Sequence, residues 1–178
     1  MRSLLAVIAA LHLSAPASAA AELKIVLGAA DVVRLAVPSS PGDDWINDIL
    51  TLNDGGFVAV GFLNRIDGDS PSDWRALAAK YSADGGEVWT RELGDGGGFD
   101  AVWTARERAD GAVALAGFTS RIGPGGINAY IALLSADGAT LKENGYGAPG
   151  YDRITGLAPA GDGFIGAGHA EGQGGRDI

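Results

Sequence analysis

The chain has 178 residues, with 13 Lys and Arg against 22 Asp and Glu and a formal net charge of −9 at pH 7. A surface of that sign repels nucleic acid and anionic lipid, so neither is expected as a partner. Cysteine is absent, which excludes a disulfide framework, a thiolate nucleophile and cysteine-ligated zinc, and leaves packing and backbone hydrogen bonds to stabilise the fold.

At the N-terminus, Arg2 precedes a short apolar run, Leu4 to Leu13, broken only by His12. Small residues follow, and Ala17-Ser18-Ala19 matches an Ala-x-Ala cleavage site. This layout predicts a secretory signal peptide over residues 1–20 and a periplasmic or secreted protein with no membrane anchor. The run is too short to span a bilayer. The competing readings are an N-terminal anchor or a buried strand.

Residues 21–178 repeat. Asp44-Trp45-Ile46 leads to Asp54-Gly55-Gly56 and Gly61-Phe62, and Asp100-Ala101-Val102 leads to Asp110-Gly111 and Gly117-Phe118, all offset by 56. Asp152-Arg153-Ile154 starts a third copy that reaches Asp162-Gly163-Phe164 and Gly168. The second half of the unit repeats too. Ser82-Ala83-Asp84-Gly85 returns as Ser135-Ala136-Asp137-Gly138, offset by 53, and the runs that follow close on Gly94 and Gly147. A period of this size signals a repeat architecture.

In the first copy, strands are expected over 45–52, 57–62, 75–81 and 87–93, with Asp-Gly-Gly turns at 54–56 and 84–86. No window keeps a 3.6-residue period with caps, so no helix is expected. The fold class is therefore all-β. A four-stranded meander of this length is one blade of a β-propeller, and blades must stack to bury their faces. Complete blades are expected near 44–94 and 99–147, a partial blade over 151–178, and N-terminal strands within 22–37. Residues 31–37 align with 87–93 as a fourth strand, and the sequence stops at Arg176-Asp177-Ile178, where a third strand would begin. Either the two halves join in a three-blade ring or the chain is the first part of a longer propeller. Crowding of the inner strands in so tight a ring favours an incomplete propeller.

The pattern Asp54-Gly55-Gly56-Phe57 with Gly61, then Ser82-Ala83-Asp84-Gly85 with Trp89 and Gly94, resembles exported bacterial β-propeller repeat proteins with PQQ-like or kelch-like blades. The likeness covers about residues 31–178, and the later copy departs from it with Lys142 where Trp89 would fall. The resemblance implies a scaffold or binding module, since only a minority of related propellers are enzymes. The cofactor and catalytic set of the PQQ enzymes has no counterpart here, so no activity is carried over.

Chemistry-bearing residues are few. His169 is the one histidine after the signal and reads as structural. There is no Gly-x-Ser-x-Gly elbow, and no phosphate-binding loop opens a helix. No catalytic residue is expected. Asp67, Asp69 and Asp73 share one loop, and closely spaced carboxylates suit a hard cation such as Ca²⁺. The loop lacks the alternation and closing Glu of an EF-hand, so it also reads as a solvated turn. Residues 172–177 are similar to a single copy of a Gly-rich calcium repeat, or form a flexible loop. No other cofactor is expected. Asp44, Asp100 and Asp152 hold one repeat position at the start of the innermost strand. In a propeller they would approach the central channel and offer an acidic ring to a cation or basic ligand. Alternatively, each caps its own turn by accepting backbone N–H groups.

Trp89 and Trp103 read as packing residues, Trp103 on a strand face with Ala101 and Ala105. Trp45 and Trp74 lie near loops and read as packing, or as rings able to stack on a sugar. The expectation is an exported non-enzymatic repeat scaffold or binding module for a protein or glycan. The alternative is the N-terminal part of a propeller enzyme acting on polysaccharide or a related polymer.

Overall fold

Four Asp-Gly pairs turn the chain back in the same way. Gly55 N donates to Leu52 O (3.0 Å), Leu52 N to Gly56 O (2.9 Å) and Gly56 N to Asp54 Oδ1 (2.9 Å). The loop is therefore three residues, Asn53-Asp54-Gly55, closed by a left-handed glycine (φ +85° at Gly55), a geometry that matches the twist of the flanking strands. The same pair of backbone bonds recurs at 82–86, 108–112 and 135–139. The third copy differs from expectation. A two-residue loop, Gly161-Asp162, joins Ala160 to Gly163, and the positive φ of +60° falls on Gly161 rather than on the aligned Gly163.

The computed structural model describes residues 11–13, 21–26, 32–38, 40–65, 73–94, 98–172 and 175–177, with side chains described for 38, 40–65, 73–94 and 98–171. The strands are β1 (Leu11–Leu13), β2 (Ala21–Val26), β3 (Val32–Val37), β4 (Asp44–Thr51), β5 (Phe57–Asn64), β6 (Trp74–Tyr81), β7 (Glu87–Leu93) and β8 (Asp100–Glu107). They continue as β9 (Val113–Thr119), β10 (Gly126–Leu134), β11 (Thr140–Tyr146), β12 (Gly150–Tyr151), β13 (Arg153–Ala160), β14 (Gly163–Gly172) and β15 (Gly175–Asp177). The described residues contain no helix, as the missing 3.6-residue period predicts.

β4 to β7 form an antiparallel meander with β1 along the outer edge of β4, and β8 to β11 form a second meander. β13, β14 and β15 form a third sheet, β2 and β3 a separate pair, and one sheet curls strongly toward a half-barrel. β1 falls in the apolar run of the expected signal; the rest of residues 1–20 lies outside the described residues.

Each first strand carries a bulge at the same place. Pairing slips between Ile46 and Asp48, between Val102 and Thr104, and between Ile154 and Gly156, leaving Asn47, Trp103 and Thr155 as extra residues. Opposite each slip the second strand has a glycine. A Cβ on Gly61, Gly117 or Gly168 would fall 1.8, 1.9 or 1.9 Å from the carbonyl oxygen of Trp45, Ala101 or Arg153. The bulge draws that carbonyl into the space a side chain would fill, so only glycine fits. It also splits the face expected for Trp103, which packs with Ala101 as expected but not with Ala105. Ala101 packs with Phe62 and Phe118, whereas Ala105, beyond the bulge, packs in the cluster of Val102 and Leu115.

The sheets stack face to face. β8 packs on β4, β5 and β6, and β13 packs on β8, β9 and β10. Small residues permit the approach: Ala76 and Ala78 meet Val102, Ala105 and Leu115 in one cluster, and Ala114 and Ala116 meet Leu157 in another. Polar ties cross the first interface. Asn47 Nδ2 donates to Val102 O (2.8 Å), Thr104 Oγ1 to Asp48 Oδ2 (2.9 Å), and Trp89 Nε1 to Ala136 O (3.0 Å). The links between sheets repeat as well. Phe99 bridges Trp74 in parallel, and β12 pairs in parallel with Gly126 and Ile127 at the start of β10.

Replacing Gly117 with Ala should therefore lower stability by about 1–3 kcal/mol, measured by denaturant unfolding. Ala114→Gly, on the same strand without such a contact, should cost less.

Candidate functional site

The polar and aromatic groups that could contact a ligand gather where first strands begin and second strands end. Register pairs Trp45 with Phe62, Ala101 with Phe118, and Arg153 with His169, at equivalent places in the three sheets. Phe99 and Tyr151 lie two residues before Ala101 and Arg153. Together these positions make a row of rings that crosses all three sheets. Trp45 lies 6.5 Å from Phe62, and Phe62 stacks on Trp74 at 4.3 Å with planes 12° apart. Trp74 meets Phe99 edge-on at 5.6 Å and Phe118 at 6.4 Å. Phe118 lies 6.0 Å from Tyr151, which lies 6.1 Å from His169. Phe62 and Phe118 are buried, Trp45, Trp74 and Tyr151 are half-buried, and Phe99 is 40% exposed.

The three Asp candidates are all buried; Asp44 and Asp100 open β4 and β8, and Asp152 lies between β12 and β13, one residue before β13. Asp44 accepts from Ser40 N (2.6 Å) and Asn64 N (2.9 Å), and from the Ser40 hydroxyl. Asp152 accepts from Ala148 N (2.9 Å) and Glu171 N (2.9 Å). Each of these carboxylates thus fastens the incoming link to the end of the second strand. Asp100 faces Arg121 Nε at 3.8 Å. The closing glycines leave room for the two later carboxylates: a Cβ on Gly94 would fall 2.8 Å from Asp100 Oδ2, and one on Gly147 would fall 2.0 Å from Asp152 Oδ2.

Of the expected cation loop, Asp67 and Asp69 lie outside the described residues. Asp73 is buried and accepts from Arg75 Nε (3.0 Å) and Nη2 (2.8 Å). Among the described residues no three His, Asp or Glu gather at metal-binding spacing. Residues 173 and 174 of the Gly-rich segment also lie outside the described residues.

Behind the row in the second sheet, Arg121 donates to Glu143 (3.2 Å) and the Tyr130 hydroxyl donates to the same carboxylate (2.7 Å). The Arg121 bond holds the Glu143 carboxyl below the ordinary carboxylate range against the opposing effect of burial, with Tyr130 assisting. Burial and the bond to Glu143 push the Tyr130 phenol above its ordinary range.

The row was not anticipated as a unit. Its traces in the sequence are the matching Phe62 and Phe118 after the repeat glycines, and the aromatic Phe99 and Tyr151 one residue before the repeat Asp. In comparisons with known proteins, no family model matches the chain and no curated protein is significantly similar to it.

Asp152→Ala strands two backbone donors and should cost about 1–3 kcal/mol in a denaturant melt. Glu143 supplies a pH signature. Its folded pKa is depressed, so its stabilisation is complete above the unfolded carboxylate range, near about 4.3, and is lost as pH falls through the lower folded value. Melting temperatures of Glu143→Gln and the parent chain should differ at pH 7, and the difference should shrink as pH falls below the ordinary carboxylate range.

Proposed function

We propose that the chain is an exported β-propeller repeat module without catalytic activity, and that it binds a glycan along its row of aromatic rings. The propeller reading is supported by the same stacking in both interfaces, with the bulge, the parallel link and the buried Asp each recurring in register. Stacked four-stranded meanders of this kind are how propellers bury their sheet faces. Export is read from Arg2, the apolar run and Ala17-Ser18-Ala19.

The observation that carries the binding reading is the row from Trp45 to His169. Half-buried rings held by neighbouring rings present edges and faces that do not have to be ordered on binding, which limits the entropic cost. Sugar rings and extended polymers suit such a surface. A protein ligand is the other partner expected from the sequence, and a docked protein would cover the same edge.

The test is retention of the full chain on insoluble cellulose, chitin, xylan and α-glucan. One polysaccharide should retain the protein, and Phe99→Ala, at the most exposed ring, should weaken retention about fivefold to tenfold with an unchanged melting temperature. Passage through every polysaccharide, or retention indifferent to Phe99, would overturn the glycan reading.

A further inference from the structure

The third sheet departs from the first two at the end of the aromatic row. Arg153 opposite His169 stands where the other sheets place Trp45 opposite Phe62 and Ala101 opposite Phe118. Tyr151, Arg153, His169 and Glu171 line a pocket of about 290 Å³. Small-ligand sites start at about 300 Å³, so this one has room for a single small ring.

Arg153 is unlike the other arginines whose side chains are described. Arg65, Arg75, Arg106, Arg108 and Arg121 pair with carboxylates. Arg91 donates to the carbonyl of Gly138. Arg153 has no hydrogen-bond or ion-pair partner among the described residues. Its guanidinium carbon lies 5.5 Å from the Tyr151 ring centroid, and its Nε is buried and unsatisfied. In a chain with 22 acids against 13 bases, an unpaired arginine against an aromatic wall is a donor in reserve.

Acceptors share the pocket. Glu171 Oε2 accepts from Tyr151 N at 2.9 Å, which fixes the carboxylate in place. His169 Nδ1 lies 3.0 Å from the Tyr151 carbonyl. A carbonyl only accepts, so Nδ1 carries the hydrogen and Nε2 of the neutral ring is an acceptor. That Nε2 is buried and has no hydrogen-bond partner among the described residues.

Charge decides between ligand classes. A carboxylate or phosphate drawn to Arg153 would also meet Glu171 and the neighbouring buried Asp152, and an amine drawn to those acids would meet Arg153. A hydroxyl both donates and accepts. Vicinal hydroxyls can therefore satisfy the guanidinium and the acceptors together without adding charge.

We propose that this pocket holds one ring of a neutral sugar, with Arg153 donating to hydroxyl oxygens and Glu171 and His169 Nε2 accepting hydroxyl hydrogens. The inference rests on the reading of the aromatic row as a glycan-binding edge, and it places the selective contact at the end of that row.

The test is saturation-transfer NMR and calorimetric titration of the full chain with methyl glucoside, galactoside and mannoside, against glucuronate and glucosamine as charged probes. A neutral glycoside should bind saturably and more tightly than either charged sugar. Arg153→Met and Glu171→Gln should each weaken it at least tenfold. Arg153→Met should not lower the melting temperature, because the guanidinium makes no bond that folding requires and its buried Nε is unsatisfied.

Tighter binding of glucuronate would make the pocket an anion site and overturn the proposal. So would self-association of the native chain abolished by Arg153→Met, which would identify a second copy as the occupant. Absence of saturable binding by any neutral glycoside would also overturn it. If polysaccharide retention survives Arg153→Met but not Phe99→Ala, the pocket assignment fails while the binding edge stands. If the native chain is not retained at all, both fail.

Discussion

One extra residue in each first strand governs much of this structure. The bulges at Asn47, Trp103 and Thr155 shift the side-chain phase midway along the strand. Ile46 and Ile49 consequently join one cluster, whereas Leu50 and Leu52 join the cluster on the other face. Without the bulge, alternation would put Ile46 on the face of Leu50 and Leu52. The bulge instead sends it to the opposite face with Ile49. The same distortion draws in the carbonyl that excludes any side chain at Gly61, Gly117 and Gly168, and it turns Asn47 and Asp48 toward the adjacent sheet.

With no cysteine to cross-link it, the chain relies on repetition of these local devices. The sheets come close because their facing strands are rich in alanine, a choice that lowers side-chain entropy cost but also limits the apolar area each residue buries. Larger groups fill the rest of the core, among them Tyr130, Leu115 and Leu134. Trp89 packs between the first two sheets, where its ring covers the Gly138 turn so closely that a Cβ there would lie 2.8 Å from Cδ2. In the second copy Lys142 takes that place and is exposed. The two interfaces therefore differ in how their outer ends are closed, although their inner parts follow one plan.

Strand positions and Asp-Gly loops were legible in the sequence because both follow from local chemistry: alternation, apolar runs, and glycine where φ is positive. The bulge was not. It inserts one residue without any special residue type at the insertion, since Asn, Trp and Thr all occupy it, and its trace lies on the neighbouring strand as a recurring glycine. The irregular alternation of residues 45–52 was its other symptom. The form of the third turn was not legible either. Gly161-Asp162-Gly163 offers two glycines, and alignment alone does not say which one takes the positive φ. The repeat Asp was located from the sequence, and its carboxylates in the first and third sheets accept backbone N–H groups that are far apart in the chain. The aromatic row was not foreseen because Trp74 belongs to a different strand from the repeat Phe positions, and only the folded register brings them into line.

A repeat makes substitutions informative, because backbone geometry is held nearly constant while side chains change. At the position of Phe62 and Phe118 the third sheet has His169, and at that of Trp45 and Ala101 it has Arg153. Buried apolar rings become groups whose polar atoms, Arg153 Nε and His169 Nε2, are buried without partners. Leaving buried polar atoms unsatisfied costs about 1–3 kcal/mol each, a penalty that the Phe62 and Phe118 rings at the His169 position avoid in the other two sheets. The surrounding row still supplies Tyr151 and Phe118 as a rigid wall. The exchange therefore lowers local stability while creating hydrogen-bonding capacity at a held position. That combination differs from simple decay of the repeat, because His169 Nδ1 keeps a defined bond to the Tyr151 carbonyl, the Glu171 carboxylate accepts from Tyr151 N, and Glu171 N donates to Asp152. The geometry is held by these bonds, and among the described residues Arg153 Nε and His169 Nε2 have no hydrogen-bond partner.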